Sequence, residues 1–241
     1  MASSATERDQ VLYLRWRVFA EEFGYVDPGG DASARLCDES DTHPSVRIVI
    51  AYDQGEPVAT LRLTLPGVDG AAMEVHDSWR FDGFESGERY GALSRMCILP
   101  AHRGRAVSVG LVALARREAL AAGVTHFVAP ATMETDHPDD ARLIHDGARA
   151  RGHCAAPQWA TPVAPSPDGG VGLRPFYSDE ERKAGVDSID GLRYPRALDV
   201  FASLGARYVG PPHFLPDWRT YVLPLVLDLR AMPPAVTEFQ F

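Results

Sequence analysis

The tripeptide Arg103-Gly104-Arg105 joins an apolar stretch at residues 91–99 to a run of small and apolar residues at 107–122 that favours a helix. A strand that passes into a helix leaves several backbone N–H groups unpaired at the positive end of the helix dipole, and such groups bind anions. Gly104 would let the backbone approach an anion closely, and the flanking guanidinium groups suit phosphate. The turn therefore predicts a binding site for a phosphorylated carrier molecule.

Two carboxylates upstream of this turn, Asp38 and Asp41, are candidates for chemistry on an amine. They could hold the amine or remove its proton, because two neighbouring carboxylates raise the pKa of one of them. A solvated loop, or a cap for the following strand, would explain the same two residues. Arg15 is the candidate to pair with one of them as a structural clamp. Arg62 lies between two leucines and, by alternation, points either into a cleft or to solvent.

The remaining reactive side chains are weaker candidates for chemistry. His43 could act as a general base because the unperturbed pKa of histidine lies near neutrality, but a single histidine in a loop is more often a surface residue. Cys97 lies in an apolar stretch and is more typical of a small buried residue than of a nucleophile. Glu134, Asp136 and His137 form a short polar cluster, but no second His or Cys lies at ligand spacing. We therefore expect no metal site.

Composition narrows the class of protein. The chain has 241 residues, of which 45% are hydrophobic, and a formal net charge of −9. This suits one globular domain, residues 1–241, and the acidic net charge argues against nucleic-acid binding, so the short basic turn points to a small anionic ligand. The three widely spaced cysteines are typical of a reducing, cytoplasmic environment. A polar start predicts no signal peptide, and no apolar run reaches the length of about 18 residues that predicts a membrane span.

Hydrophobic periodicity predicts the elements that must position these residues. Residues 155–190, rich in proline, glycine and charge, predict an irregular insertion. The fold class is α/β, a mixed sheet with helices packed on it. We expect helices at 7–24, 107–122, 137–152 and 192–204, a hairpin of strands at 46–52 and 57–65, and further strands at 91–99, 124–131, 207–209 and 221–229.

The order of elements, with Arg103 and Gly104 at the strand-to-helix turn, resembles the GNAT superfamily of acyl-CoA-dependent N-acyltransferases. Ala106 and Ser108 stand where the superfamily usually has glycine, and they keep the small size. The resemblance implies a mostly antiparallel central sheet flanked by helices. It also implies a pyrophosphate-binding loop between the fourth strand and the helix that follows it.

A second set of residues resembles the acyl-homoserine-lactone synthases and the related long-chain N-acyl amino acid synthases. Tyr25 replaces a tryptophan of the lactone synthases, and Ala92 stands where these synthases carry glutamate. The absence of this glutamate would affect lactone formation and recognition of the amine, whereas the residues that bind the acyl carrier are less affected. The set comprises Leu14-Arg15-Trp16-Arg17-Val18-Phe19, Gly24-Tyr25, Asp38-Glu39-Ser40-Asp41, Leu61-Arg62-Leu63 and Ser94-Arg95.

The resemblance implies a role for each matching residue. The implied catalytic residues are Asp38, Asp41 and Glu134, the last because it follows the strand at 124–131. The implied cofactor-binding residues are Met96, Cys97, Ile98, Arg103, Gly104, Arg105, Ala106, Val107 and Ser108, the first three as a strand that pantetheine extends. The implied substrate-binding residues are Arg15, Phe19, Tyr25, His43, Arg62, Ser94 and Arg95. Candidates to protonate the departing thiolate are Tyr177, Tyr194 and Tyr221.

The activity implied is transfer of an acyl group from acyl-CoA, as co-substrate, to the amine of a small molecule or an amino acid, without a metal. The basic turn favours CoA as the donor. Two alternatives stay open. One is an N-acyl amino acid or acyl-homoserine-lactone synthase that uses an acyl-carrier protein. The other is a non-catalytic domain that binds acyl-CoA.

Overall fold

Helices and strands are both present in this computed structural model, which describes residues 1–26, 33–67, 73–156, 159–167, 172, 174–185 and 192–240. The helices are α1 (Ala5–Arg15), α2 (Arg105–Ala121), α3 (Pro138–Ala150), α4 (Asp179–Ala184), α5 (Arg196–Ser203) and α6 (Pro234–Thr237). The strands are β1 (Val46–Asp53), β2 (Glu56–Thr64), β3 (Trp79–Phe81), β4 (Tyr90–Ile98), β5 (His126–Thr132), β6 (Ala160–Pro162), β7 (Arg207–Tyr208), β8 (His213–Leu215) and β9 (Thr220–Asp228).

The chain divides into two compact units, and the single domain expected from its length stays a prediction. Unit 1 comprises Met1–Met73, Glu88–Phe127 and Leu229–Phe241, and unit 2 comprises Glu74–Gly87 and Val128–Asp228. The stretch predicted as an irregular insertion, residues 155–190, belongs to unit 2 and contains β6 and α4. Parts of it lie outside the described residues, namely 157–158, 168–171, 173 and 186–190.

The first helix of unit 1 begins at a capping box. The Ser4 hydroxyl accepts a hydrogen bond from the Glu7 backbone N–H at 3.1 Å, and the Glu7 carboxylate accepts one from the Ser4 N–H at 2.9 Å. Such a box satisfies N–H groups that the first turn leaves unpaired. The chain then continues from Trp16 to Glu22 as a π-helix. The single helix predicted at 7–24 is therefore an α-helix that begins at Ala5, followed by a wider helical segment.

Unit 1 is built on an antiparallel sheet of β1, β2 and β4. The turn between β1 and β2 contains Gln54 and Gly55, whose φ angles of 50° and 89° suit a tight hairpin. This confirms the hairpin predicted from the sequence. α1 contacts β2 and β4, and α2 contacts β1 and β2. The helices thus pack against the strands that carry Arg62 and Arg95.

In unit 2, β9 lies beside β5 and pairs antiparallel with β7 and β8. β3 and β6 form a separate antiparallel pair, in which Trp79 lies opposite Pro162. The sequence does not predict β3, β6 or β8, because strands of three residues are too short to show an alternating pattern. The longer elements α2, α3, β5 and β9 lie close to their predicted positions.

The fold class is the predicted one, a mixed α/β protein with a mostly antiparallel central sheet flanked by helices. The role of the β4–α2 connection as a pyrophosphate loop stays a prediction. Among the described residues, every helix is too short or too polar to cross a lipid bilayer.

Candidate functional site

Arg15 lies within a buried to half-buried group of charged residues in unit 1. Its Nη1 donates to Asp41 Oδ2 at 2.5 Å, and its side chain is 0% exposed. Arg15 therefore forms the clamp expected from the sequence, and its partner is Asp41. Its Nε and Nη2 atoms are also buried, and no described residue accepts a hydrogen bond from them. Because unpaired buried donors are costly, these two N–H groups are suited to bind oxygen atoms of a ligand.

Arg62 connects the two aspartates from β2. Its Nη1 lies 2.8 Å from Asp38 Oδ2 and 3.5 Å from Asp41 Oδ1, and its Nε donates to Ser94 Oγ at 2.8 Å. The Arg62 side chain is 1% exposed, so it takes the interior orientation of the two that alternation allows. Arg95 completes the group, with its Nη2 2.6 Å from Asp38 Oδ2.

The charge network, as we call this group, holds more arginines than aspartates. Burial raises the pKa of Asp38, but the positive charges of Arg62 and Arg95, with hydrogen bonds from Ser40, lower it further, so the pKa lies well below its usual range. The sequence predicts that the proximity of Asp38 and Asp41 raises the pKa of one of them. For Asp38 the structure shows the opposite direction, because Arg62 and Arg95 lower its pKa. Asp38 is therefore ionised at neutral pH and is a weak base. The network comprises Arg15, Asp38, Asp41, Arg62 and Arg95.

We expect Asp38 to make stability depend on pH in the acid range. Its folded-state pKa lies below the unfolded value of about 3.9, so its ionised form stabilises the fold above that pH. This contribution is lost as the pH falls through the folded-state pKa. The loss of unfolding free energy caused by Asp38→Asn, measured by urea unfolding, should therefore be larger near neutral pH than at about pH 3. The exposed neighbour Glu39 provides a control variant, Glu39→Gln. Equal losses for Asp38→Asn at both pH values would contradict this expectation.

β4 is irregular where it borders the charge network. Thr60 of β2 pairs with Cys97 and Arg62 pairs with Ser94, so β4 contains one extra residue between these pairs, a β-bulge. Within the bulge, Arg95 has a φ of 53°, a left-handed conformation that few residues other than glycine adopt. The bulge therefore interrupts the regular pairing between β2 and β4 at Arg95.

The strand predicted to bind pantetheine follows this bulge. Met96 is half-buried, whereas Cys97 and Ile98 are buried. Burial raises the pKa of the Cys97 thiol to about 12, against the opposing effect of Arg15 and Arg103. Cys97 is thus a buried, protonated thiol, in agreement with its expected role as a small core residue.

The other substrate-binding residues suggested by the resemblance divide into buried and exposed positions. Phe19 and Tyr25 are buried, and the Tyr25 ring stacks on Phe23 with centroids 5.0 Å apart. His43 is exposed, and its Nδ1 lies 2.8 Å from Ser45 Oγ. The structure therefore fits the surface interpretation of His43 better than a role as general base.

Two basic side chains of the turn after β4 pair with acidic side chains from other parts of unit 1. Arg103 Nη1 and Nη2 each lie 2.5 Å from a carboxylate oxygen of Glu22, and Arg103 Nε donates to the Ile98 carbonyl at 3.0 Å. His102 Nε2 lies 3.2 Å from Asp53 Oδ2. The sequence predicts that Arg103 binds phosphate, which stays a prediction, and in the structure its guanidinium group pairs with Glu22. Glu22 lies in another element far along the chain, so no local pattern connects the two.

α2 has an open N-terminus. Among the side chains that the structure describes, none caps this helix at Gly104, and its first turn contains no acidic residue. Gly104 has an extended φ of −155°, and a Cβ placed on it would meet no atom within 4 Å. The space beside Gly104 is therefore open, and packing does not require glycine at this position. Ala106 is exposed and Val107 is half-buried. The Ser108 N–H and the Ser108 hydroxyl each donate a hydrogen bond to the Gly104 carbonyl at 3.4 Å. The side chain of Arg105 lies outside the described part of the structure.

The remaining predicted residues lie in unit 2. Glu134 follows β5 with a φ of 58°, and its Oε1 accepts a hydrogen bond from the Ala197 backbone N–H at 3.4 Å, in the first turn of α5. The Tyr177 hydroxyl donates to a backbone carbonyl at 2.7 Å, and burial raises its pKa to about 12. Burial also raises the pKa of Tyr194, and Tyr221 is buried. The catalytic roles of these residues stay predictions.

Unit 2 also holds a buried carboxylate that the sequence pattern does not single out. Asp140 is 0% exposed, and its Oδ1 lies 2.9 Å from Arg182 Nη1. Its Oδ2 accepts hydrogen bonds from the backbone N–H groups of Phe176 at 2.6 Å and Tyr177 at 3.2 Å, and from the Thr135 hydroxyl at 3.2 Å. Asp140 therefore ties α4 and the segment before it to α3. An aspartate in the first turn of a helix normally indicates an exposed position, which is why the pattern hides this role.

The described residues include no group of three or more His, Cys, Asp or Glu side chains placed to hold a metal ion. Cys37, Cys97 and Cys154 are all free thiols. In unit 1 the charge network and the uncapped start of α2 are the features suited to bind charged groups.

A comparison with protein families decides which of the resemblances applies. The model of the family "N-acyl amino acid synthase FeeM" matches residues 10–135, just over half of the chain. The chain belongs to this family. The matched segment contains the whole charge network, the bulge of β4 and the basic turn. As a member of the FeeM family, the protein is an enzyme that transfers acyl groups to amines.

Solved structures share the fold of this FeeM-family chain. TofI, crystallised in a ternary complex with an inhibitor and MTA, has a TM-score of 0.55 at 17% identity, covering 99% of this chain and 92% of that chain. BjaI, a CoA-dependent acyl-homoserine lactone synthase solved with SAM and isopentyl-CoA, has a TM-score of 0.51 at 14% identity, covering 95% and 78%. The aminoglycoside 6′-N-acetyltransferase from Enterococcus faecium has a TM-score of 0.50 at 13% identity, covering 97% and 96%. A comparison with curated proteins gives no significant match.

Proposed function

We propose that this protein transfers an acyl group from acyl-CoA to the amine of a small molecule or an amino acid. The observation that supports this most is the charge network, which joins residues far apart in the sequence through ion pairs and hydrogen bonds. These are the residues that the resemblance to N-acyl amino acid synthases selects. A network of this kind fixes charged groups in one orientation, which suits recognition of an amino group or a carboxylate.

The reaction needs an uncharged amine, a polarised thioester and a thiol leaving group. The amine nitrogen forms a bond to the thioester carbonyl carbon, the C–S bond breaks, the thiolate leaves, and the nitrogen loses a proton. We assign to ionised Asp38 the orientation of the acceptor amine, and to Asp41, which Arg15 and Arg62 hold, the placement of Arg15 at the acceptor; the proton lost by the nitrogen passes to solvent. The unused N–H groups of Arg15 suit a carboxylate on an amino acid acceptor. Glu134 is proposed separately as a catalytic carboxylate of unit 2, and full kcat in a Glu134→Gln variant would exclude it.

The carrier would bind along β4 and at the start of α2. Two features support this placement. The bulge at Arg95 interrupts the regular pairing of β4 with β2, and an irregular strand of this kind supports placing a pantetheine arm there. The first turn of α2 offers unpaired N–H groups and open space at Gly104 for a pyrophosphate. The residues present therefore fit an acyl-CoA in both parts of the site.

A charge placed at Gly104 tests the phosphate-binding part of this proposal. A side chain fits there without contact, so Gly104→Glu and Gly104→Gln should both fold with unfolding midpoints near that of the wild type. The glutamate would place a negative charge where the carrier's phosphates bind. We therefore expect the Kd for CoA, measured by calorimetry, to be at least about tenfold higher for Gly104→Glu than for the equally sized Gly104→Gln, because like charges repel at a helix N-terminus. The same Kd for both variants would place the phosphates elsewhere.

An acyl-carrier protein is the second candidate donor. The observation in its favour is that two basic side chains of the turn, His102 and Arg103, lie against the acids Asp53 and Glu22, which weakens their attraction for a free nucleotide. A non-catalytic acyl-CoA-binding domain is the third candidate. Its support is Ala92, a buried residue of β4 at the position where related synthases carry glutamate.

One assay separates these candidates. Purified protein is given acyl-CoA or acyl-carrier protein of matched chain length with a panel of amino acids and small amines. Free thiol and acylated amine are then measured, the amine by mass spectrometry. Product with acyl-CoA supports the proposed function, and product with acyl-carrier protein alone supports the second candidate. CoA binding without any product supports the third candidate.

We also propose that the enzyme works in the cytoplasm. The support is chemical, because all three cysteines are free and one of them, Cys37, is exposed, as is usual in a reducing compartment.

A further inference from the structure

The ion pair between Arg103 and Glu22 lies where the proposed carrier site begins. Glu22 is the last residue of the π-helix, and Arg103 lies between β4 and α2. The Arg103 guanidinium carbon also lies 5.1 Å from the centroid of the Phe23 ring. The side chains of Arg103 and Glu22 are 21% and 29% exposed, so the pair borders solvent. Arg103 is thus held by a carboxylate, a backbone carbonyl and an aromatic ring.

A carboxylate and a phosphate bind the same edge of a guanidinium group. Both present two oxygen atoms to two parallel N–H groups, and such bidentate pairs are among the stronger hydrogen-bonded contacts in proteins. In Arg103 this edge is filled by Glu22, and the Nε–H is used by the Ile98 carbonyl. A phosphate that approaches Arg103 must therefore displace Glu22. The displaced carboxylate can turn towards solvent, because it is partly exposed.

We infer that Glu22 is a specificity-determining residue that competes with the phosphate groups of the carrier for Arg103 and thereby sets the affinity for CoA. This inference rests on the proposed function, since it takes CoA as the carrier. It extends that function by assigning an acidic residue of the π-helix to the carrier side of the reaction. Glu22 would weaken the binding of ligands with little negative charge more than the binding of CoA, because a ligand must carry enough negative charge to displace Glu22 from Arg103.

Calorimetric titration with two probes tests the inference. The first probe is CoA, and the second is pantetheine, which lacks phosphate. The Glu22→Gln variant should bind CoA about fivefold more tightly than the wild type, the fold-change that corresponds to losing a partly exposed ion pair of about 1 kcal/mol. Its affinity for pantetheine should be unchanged. Adding Arg103→Gln to Glu22→Gln should remove the gain for CoA.

A matched control is available one residue earlier. Glu21 is 46% exposed and pairs with Arg17 at 3.3 Å, away from Arg103, so Glu21→Gln should leave both affinities unchanged. Wild-type or weaker affinity of Glu22→Gln for CoA would overturn the inference. An equal gain for pantetheine would also overturn it, because it would indicate a general loosening of the site. If no variant binds CoA and acyl-carrier protein supports turnover, the proposed donor fails together with the inference. If the enzyme uses acyl-CoA but Glu22→Gln binds CoA with wild-type affinity, the inference fails and the proposed function stands.

Discussion

Replacement of Asp41 by alanine should lower the free energy of unfolding by about 3–5 kcal/mol, the usual cost of leaving a buried charge without its partner. Asp41 Oδ2 lies 2.5 Å from Arg15, and its Oδ1 lies 3.5 Å from Arg62. Both guanidinium groups are at most 1% exposed, so water cannot replace the lost carboxylate. The measurement is urea unfolding followed by circular dichroism. Because the same variant disorders the arginines of the charge network, acyl transfer should fall with it.

Two further variants define what this loss means. Glu39→Ala removes an exposed acid from the same loop and should change the unfolding free energy by no more than about 0.5 kcal/mol. Adding Arg15→Met to Asp41→Ala should recover part of the stability, because the uncompensated charge is then gone. A loss below about 1 kcal/mol for Asp41→Ala would mean that the Arg15 charge is compensated by another group, against the account given above.

In unit 2, the variant Asp140→Asn should lower the unfolding free energy by about 2–4 kcal/mol. Asparagine has the same size as aspartate, but it lacks the charge opposite Arg182 and places an N–H₂ group among backbone donors. Asp140 accepts hydrogen bonds from Phe176, Tyr177 and Thr135, and at least one of them would be lost. The cost is below that for Asp41 because Arg182 is 19% exposed and keeps its pairing with Asp179. Limited proteolysis within residues 174–185 should become faster.

The control for this variant lies on the same helix. Asp146 is 43% exposed, and its distance of 3.9 Å from Arg149 is long for an ion pair. Asp146→Asn should therefore unfold like the wild type and be cleaved at the same rate. Wild-type cleavage of the Asp140→Asn variant would show that the carboxylate does not hold α4 and its preceding segment.

The sequence predicts one ion pair of the charge network, that of Arg15 with one of the two aspartates, for an identifiable physical reason. Arg15 and Arg62 are charged residues set among apolar neighbours, and a charge in such a position is stable only with a partner. Asp38 and Asp41 are the acids expected as partners of Arg15, and the structure pairs Arg15 with Asp41 and places Arg62 beside both acids, which the sequence does not predict. The long elements are predicted for a similar reason, because the 17 residues of α2 repeat their pattern over several turns.

What the sequence does not predict depends on contacts between distant, irregular positions. Glu22 faces Arg103 because the π-helix and the turn after β4 come together, which no periodic pattern encodes. Asp140 has the same residue type and helix position as many solvent-exposed caps, and only the packing of the segment around Phe176 buries it. The direction of the Asp38 pKa shift likewise required knowledge that two arginines flank it.

The left-handed backbone of Arg95 has a consequence for protein engineering. Glycine adopts a φ of 53° more readily than arginine, so Arg95→Gly would relieve roughly 1 kcal/mol of conformational energy. The same substitution removes the ion pair with Asp38 at 2.6 Å. The loss of this part-buried ion pair offsets the relief of strain, so the strained conformation is retained together with the pairing of Asp38, and libraries built on this scaffold should keep position 95 fixed.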